Sequence, residues 1–238
     1  MKETLLMIPG TLCDVSLFDN QIRGISDLVN CKAVDCSRSD NLAEIATLIL
    51  SETKGDFALL GFSYGGIIAF EILRQAPQRI TKLILLNTNY KAPSETTIES
   101  QRKYLKMVET GDFRKITTDF TKESMLHPDH AKNLEIRDKV LKMALSVGET
   151  GFKNQVKSQL NRPDSSRDLQ KINCPTLIIT GREDRICPPF LHQEMAQLIP
   201  DSELVIIEEC GHLSTLEQPE VLNDTIRKWW NKLLITKP

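Results

Sequence analysis

Six short apolar runs, most of them rich in β-branched residues, alternate with windows of helical spacing, and this most constrains the fold of the 238-residue chain. The runs are 4–8, 32–34, 57–61, 82–87, 176–180 and 203–207, and the helical windows are 16–29, 42–52, 66–75, 190–198 and 220–233. Strands separated by helices must be joined by crossovers, so the pattern predicts a mostly parallel sheet of about six strands flanked by helices. Asn41 is placed to cap the second helix, with Glu44 at capping-box spacing. Between residues 87 and 174 the strand signal stops, and 95–110 and 131–147 read as polar, charged helices. This divides the chain into a core of 1–88 and 174–238 and an insertion of 89–173, with 161–166 as the return loop.

One strand run ends in chemistry. Leu59-Leu60-Gly61-Phe62-Ser63-Tyr64-Gly65-Gly66 is an apolar run closing on G-x-S-x-G before a helical window. That order puts a serine on a sharp strand-to-helix turn, with its hydroxyl clear of the backbone and the helix N–H groups directed at it. Gly61 and Gly65, lacking Cβ, let strand and helix close around it. Alone, a serine between glycines is more often only a turn residue, so partners decide. Gly181-Arg182-Glu183-Asp184 and Gly211-His212 each follow a predicted strand, at the sheet edge where Ser63 emerges. His212 is the candidate base and Asp184 the candidate acid, with Glu183, Glu208 and Glu209 as alternative carboxylates.

With these residues the chain resembles the α/β-hydrolase superfamily, in its small esterase, lactonase and C–C hydrolase branches, from Leu5 to the helix around Trp229. The chain order Ser63, Asp184, His212 is that superfamily's order. The resemblance implies an α/β-hydrolase fold without the two leading antiparallel strands, and a helical cap inserted before the acid-bearing strand to cover Ser63. It also implies an oxyanion hole from the backbone N–H groups of Thr11, after Pro9-Gly10, and Tyr64, after the serine. Pro9 stands where the family usually carries histidine. Asn87 occupies the family's other acid position without a charge. The function implied is a serine hydrolase cleaving a small carboxylic ester, thioester or lactone through an acyl-enzyme. C–C bond hydrolysis of β-diketone-like compounds, acyl transfer or slow-turnover ligand sensing are the alternatives. Leu12, Phe18 and Tyr64 are expected to line the acyl pocket, and the scheme needs no metal and no organic cofactor.

Composition narrows the partners to a small molecule. Thirty basic against 32 acidic residues leave a net charge of -2, without a charge block for nucleic acid or an anionic membrane. Aromatics make up 5% of the chain, too few for a base-stacking platform. No run approaches the roughly 20 apolar residues of a membrane helix. The opening residues do not read as a leader, and the six cysteines lack C-x-x-C spacing, so a cytoplasmic protein with reduced thiols is expected. Oligomeric state is not legible. His127 and His130, around Asp129, read as a polar lid turn rather than a metal site. His192 is expected at the surface, and Trp229 and Trp230 in packing with partial exposure. Cys13 and Cys210, beside the proposed site residues, read as packed thiols that could confer sensitivity to thiol reagents.

Overall fold

The computed structural model describes residues 2–119 and 125–235. Its centre is a six-stranded sheet in which every neighbouring pair is parallel, in the order β2-β1-β3-β4-β5-β6. The strands are β1 (Thr4–Ile8), β2 (Asn30–Ala33), β3 (Phe57–Phe62), β4 (Ile80–Leu86), β5 (Thr176–Gly181) and β6 (Ser202–Ile207).

The four inner strands are apolar on both faces because both faces are covered. Alternation divides their side chains: Leu6, Ile8, Phe57, Leu59, Leu83, Leu85 and Ile178 enter one core. Leu5, Met7, Ala58, Leu60, Ile84, Leu86, Leu177 and Ile179 enter the other. Helices α2 (Leu42–Ser51), α3 (Tyr64–Gln75) and α8 (Pro189–Leu198) close the first face. Helices α1 (Asp19–Ile25) and α9 (Pro219–Ile235) close the second. Trp229 and Trp230 are both buried there, without the expected partial exposure. The Lys82 ammonium lies 4.7 Å from the Trp230 ring centre and 2.5 Å from a Glu3 carboxylate oxygen, which explains a lysine on an inner strand.

Local chemistry moves several boundaries. The helix expected over 16–29 begins as a 3-10 turn, Val15–Phe18, because the Asp14 carboxylate caps the Ser16 N–H, and α1 stops at Ile25. Asn41 caps α2 by accepting from the Ala43 and Glu44 N–H groups, but the second half of the capping box is relayed. The Asn41 N–H donates to Ser39 Oγ, which donates to Glu44.

Between β4 and β5 lies a helical insertion: α4 (Glu95–Glu109), α5 (Phe113–Asp119), the 3-10 turn His130–Lys132, α6 (Leu134–Leu160) and α7 (Ser166–Leu169). Gly148, at φ 68° and ψ 178°, breaks α6 into two helical segments, a conformation open mainly to glycine. The insertion has a small core of its own, Val108, Phe113, Ile116, Ala144, Phe152 and Val156, and Leu12 from the loop after β1 joins it. No helix among the described residues is long and apolar enough to cross a membrane.

Candidate active site

In a parallel sheet all strands deliver their C-terminal loops to one edge. The chain leaves β1 toward β2 and leaves β3 toward β4, so the crevice between the ends of β1 and β3 is a topological switch point, where such sheets bind ligands. The Gly10-Thr11 loop and Ser63 border it, and the two loops touch: a Cβ on Gly10 would lie 3.1 Å from the Ser63 Cβ.

Ser63 sits at φ 52° and ψ -115°, a costly conformation for a side-chain-bearing residue, and hydrogen bonds to its backbone on both sides hold it there. Its N–H donates to Leu86 O in β4, and its carbonyl accepts from the Gly66 N–H and the Thr88 hydroxyl. The glycine requirement is steric. A Cβ on Gly65 would lie 2.0 Å from Ile8 O, and one on Gly61 would lie 2.5 Å from Gly65 O.

Ser63, His212 and Asp184 form one hydrogen-bonded chain. His212 Nε2 is 3.0 Å from Ser63 Oγ, and Nδ1 is 3.0 and 2.9 Å from the two Asp184 oxygens. Asp184 and His212 are buried, and Ser63 is partly exposed. Burial alone would raise the Asp184 carboxyl. The facing His212 imidazole, the Asn87 amide and the Cys187 N–H outweigh it and hold the group below its ordinary value. An ionised Asp184 fixes the proton of a neutral His212 on Nδ1, leaving Nε2 to accept from Ser63. Of the competing carboxylates, Glu183 accepts from the Cys210 N–H, Glu208 pairs with Arg182, and Glu209 is exposed.

The N–H groups of Thr11 and Tyr64 donate no hydrogen bond among the described residues, whereas the Leu12 N–H is taken by Gln155 Oε1. Helix α6 fixes both of these loops. Gln159 donates to Thr11 Oγ1, and Tyr64 and Ser158 share a 2.5 Å hydroxyl–hydroxyl contact.

Above Ser63 opens a cavity of about 430 Å³ lined from the sheet edge and from the insertion, including Thr11, Ser63, Tyr64, Tyr104, Phe152 and Arg162. Leu12 and Phe18, expected in the acyl pocket, are not on its lining. Leu12, at φ 56°, turns its side chain into the insertion's core, and Phe18 is fully buried in the core on the sheet's second face, with Leu17, Ile25 and Trp229. Phe152 and Val156 of α6 line it instead. Cys13 lines the cavity as well, but burial pushes its thiol up to about 12, and burial likewise raises Cys210. Burial thus disfavours the reactive thiolate at both positions. All six cysteines are free. Among the described residues no group of His, Cys, Asp or Glu is placed to hold a metal ion.

Three supports were not read from the sequence. Asn87 is fully buried at φ 48°; its amide donates to Asp184 Oδ2 at 2.9 Å and its carbonyl accepts from Ser214 Oγ at 2.6 Å. Glu217 accepts the N–H groups on both sides of His212, those of Gly211 and Leu213, together with the N–H of His127 and His130 Nδ1. With the bond from His212 N–H to Met125 O, it ties the histidine loop to the insertion. The E-x-P spacing of Glu217 and Pro219 carries no signal of this. The third support is His192, expected at the surface and found fully buried. Its Nε2 accepts the Thr88 N–H at 3.0 Å, so the proton sits on Nδ1, facing Pro188 O, and the ring backs the threonine that holds Ser63.

Burial lowers His192 from 6.5 to about 4. Below the ordinary value the unfolded chain takes up a proton that the folded protein refuses, so stability falls as pH drops from about 6.5 to about 4, by up to about 3 kcal/mol. Denaturant titrations across that window should show the loss in the wild type and a flatter profile in His192→Gln, which starts from a lower plateau.

Residues 35–219 match the alpha/beta hydrolase fold family, and the chain belongs to it. A pimeloyl-[acyl-carrier protein] methyl ester esterase of Nitrosomonas europaea is 26% identical, over 91% of either chain. A 2-hydroxy-6-oxononadienedioate/2-hydroxy-6-oxononatrienedioate hydrolase 1 of Pseudomonas putida is 27% identical, over 93% of this chain and 86% of the relative. Among solved structures, a thermophilic esterase from Thermogutta terrifontis superposes with a TM-score of 0.87 at 27% identity, covering 97% of this chain and 90% of that one.

Proposed function

We propose that the protein is a serine hydrolase that cleaves a small carboxylic ester, thioester or lactone through an acyl-enzyme. The observation that carries this reading is the hydrogen-bonded chain from Ser63 Oγ through His212 to Asp184 at the floor of the cavity. Ser63 Oγ attacks the carbonyl carbon and its proton passes to His212 Nε2. Asp184 stabilises the imidazolium through Nδ1–H, and the free N–H groups of Thr11 and Tyr64 receive the oxyanion. His212 then returns the proton to the departing alkoxide or thiolate. Water, deprotonated by the same nitrogen, releases the acid. The 89–173 insertion acts as the cap that shapes the pocket, and the esterase relatives at 26% and 27% identity favour ester chemistry.

A second reading, cleavage of a carbon–carbon bond in a β-diketone-like compound, draws on the Pseudomonas putida relative at 27% identity. The same serine, base and oxyanion donors serve it.

An alkyl p-nitrophenyl phosphonate, run beside a graded series of p-nitrophenyl esters, tests the first reading. The expected result is ester turnover, release of one equivalent of nitrophenol from the phosphonate, and the phosphonyl mass on the peptide carrying Ser63. Ester turnover with Ser63 unlabelled would overturn the nucleophile. A folded protein inert to every ester but active on diketones would favour the second reading.

A further inference from the structure

Among the described residues, Arg162 is the one member of the cavity lining that carries a permanent charge, and no Asp or Glu joins it there. The residue is 8% exposed. It follows the C-terminus of α6 and is pinned there: Nε donates to Lys91 O at 2.9 Å, and the backbone N–H to Gln159 O at 3.3 Å. The two terminal nitrogens have no hydrogen-bond or ion-pair partner among the described residues, yet they are not sealed off. The residue lines the cavity, and these two nitrogens are its donors without a protein acceptor.

An uncompensated buried cation is costly, and a merely structural arginine would spend its fork on protein acceptors. Capping of α6 would show as bonds to the last carbonyls of that helix. The guanidinium bonds Lys91 O instead, with one of its five N–H groups. What is left over is a planar pair of donors beside a candidate acyl-transfer centre, the arrangement that matches a carboxylate in bidentate fashion. A dianionic phosphate would leave half its charge without a partner, since the lining supplies a single permanent cation among the described residues.

We propose that Arg162 is an anion-binding residue of the substrate pocket, and that the substrate is a monoester, thioester or lactone that bears a free carboxylate. This rests on the ester-hydrolase reading above and specifies its substrate class. The carboxylate docks on the Arg162 terminal nitrogens while the scissile carbonyl lies at Ser63, so the cavity measures the spacing between them.

The test pairs the hydrogen ethyl esters of succinate, glutarate and adipate with ethyl butanoate, pentanoate and hexanoate, which match them in chain length but lack the charge. In the wild type the best-fitting anionic ester should exceed its neutral partner in kcat/KM by roughly 10- to 100-fold. In Arg162→Gln that ratio should collapse toward one, and Arg162→Lys should keep part of it. The matching free dicarboxylate should raise the melting temperature of wild type and of Ser63→Ala, but not of Arg162→Gln. The wild-type ratio and thermal shift do not depend on whether the arginine variants fold. Neutral esters turned over as well as or better than all three anionic partners would overturn the proposal while leaving the ester hydrolase standing. A dicarboxylate shift abolished by Arg162→Gln in a protein that cleaves no ester would uphold the anion site and overturn the ester reading.

Discussion

Ser63→Ala should lower kcat for a cleaved ester by about 10⁶-fold without lowering stability. The two readouts separate because Ser63 holds a strained backbone whatever its side chain does. At φ 52° an alanine meets the same steric cost as serine, and the bonds that hold the turn come from the backbone N–H and carbonyl of Ser63, which alanine keeps. Only the Oγ contact to His212 disappears. Ser63→Gly should be equally inactive yet more stable than wild type, by about 1–2 kcal/mol, because glycine occupies this region at little cost. Denaturation midpoints and kcat measured on the same preparations check both halves. An active Ser63→Ala protein would remove the serine from the mechanism. A Ser63→Gly protein less stable than wild type would show that the elbow is not where strain is stored.

The same turn shows how far the sequence carries and where it stops. Ser63, Asp184 and His212 were legible because each follows an apolar run ending in a glycine-bearing turn, and a parallel sheet brings all such ends to one edge. The six strands were legible for a related reason: inner strands buried on both faces read as unbroken apolar runs. What the sequence hides is side-chain direction in loops and contact across distance. Leu12 is next to the proposed Thr11 donor, but its positive φ turns the side chain away from the cavity and into the insertion. His192 looks like a surface residue on an amphipathic helix, and only packing shows that it receives the Thr88 N–H. Glu217 and Asn87 act through partners as distant along the chain as His127 and Ser214, which no local pattern announces. The pocket follows the same logic, since Arg162 lies in a return loop whose fork can be judged only once its acceptors are known.

Asp184→Asn should cost about 10⁴-fold in kcat with little change in KM, and the reason lies in which atom each neighbour demands. Asp184 Oδ1 accepts the N–H groups of Ile186 and Cys187 at 2.9 and 2.8 Å, so in the variant the amide oxygen is drawn to that side. The NH2 group then occupies the Oδ2 position, facing His212 Nδ1 and the Asn87 amide. A donor there forces Nδ1 to accept and moves the imidazole proton to Nε2. His212 then points N–H at Ser63 Oγ and cannot take its proton. Asn87 also meets a donor with a donor; its relief is to flip, which makes Ser214 accept where it now donates. Asp184→Ala is a different lesion, because it strips the acceptor from the buried Cys187 N–H and the part-buried Ile186 N–H and should lose stability as well as activity. The acid response adds a third distinction. The wild-type carboxyl is held below its ordinary 3.8, so its stabilising contribution is full above that value and is lost as pH falls through the depressed one. Asp184→Asn lacks a titrating group there and should lose that share of the acid dependence. Retention of kcat within tenfold in Asp184→Asn would show that His212 finds its tautomer without Asp184.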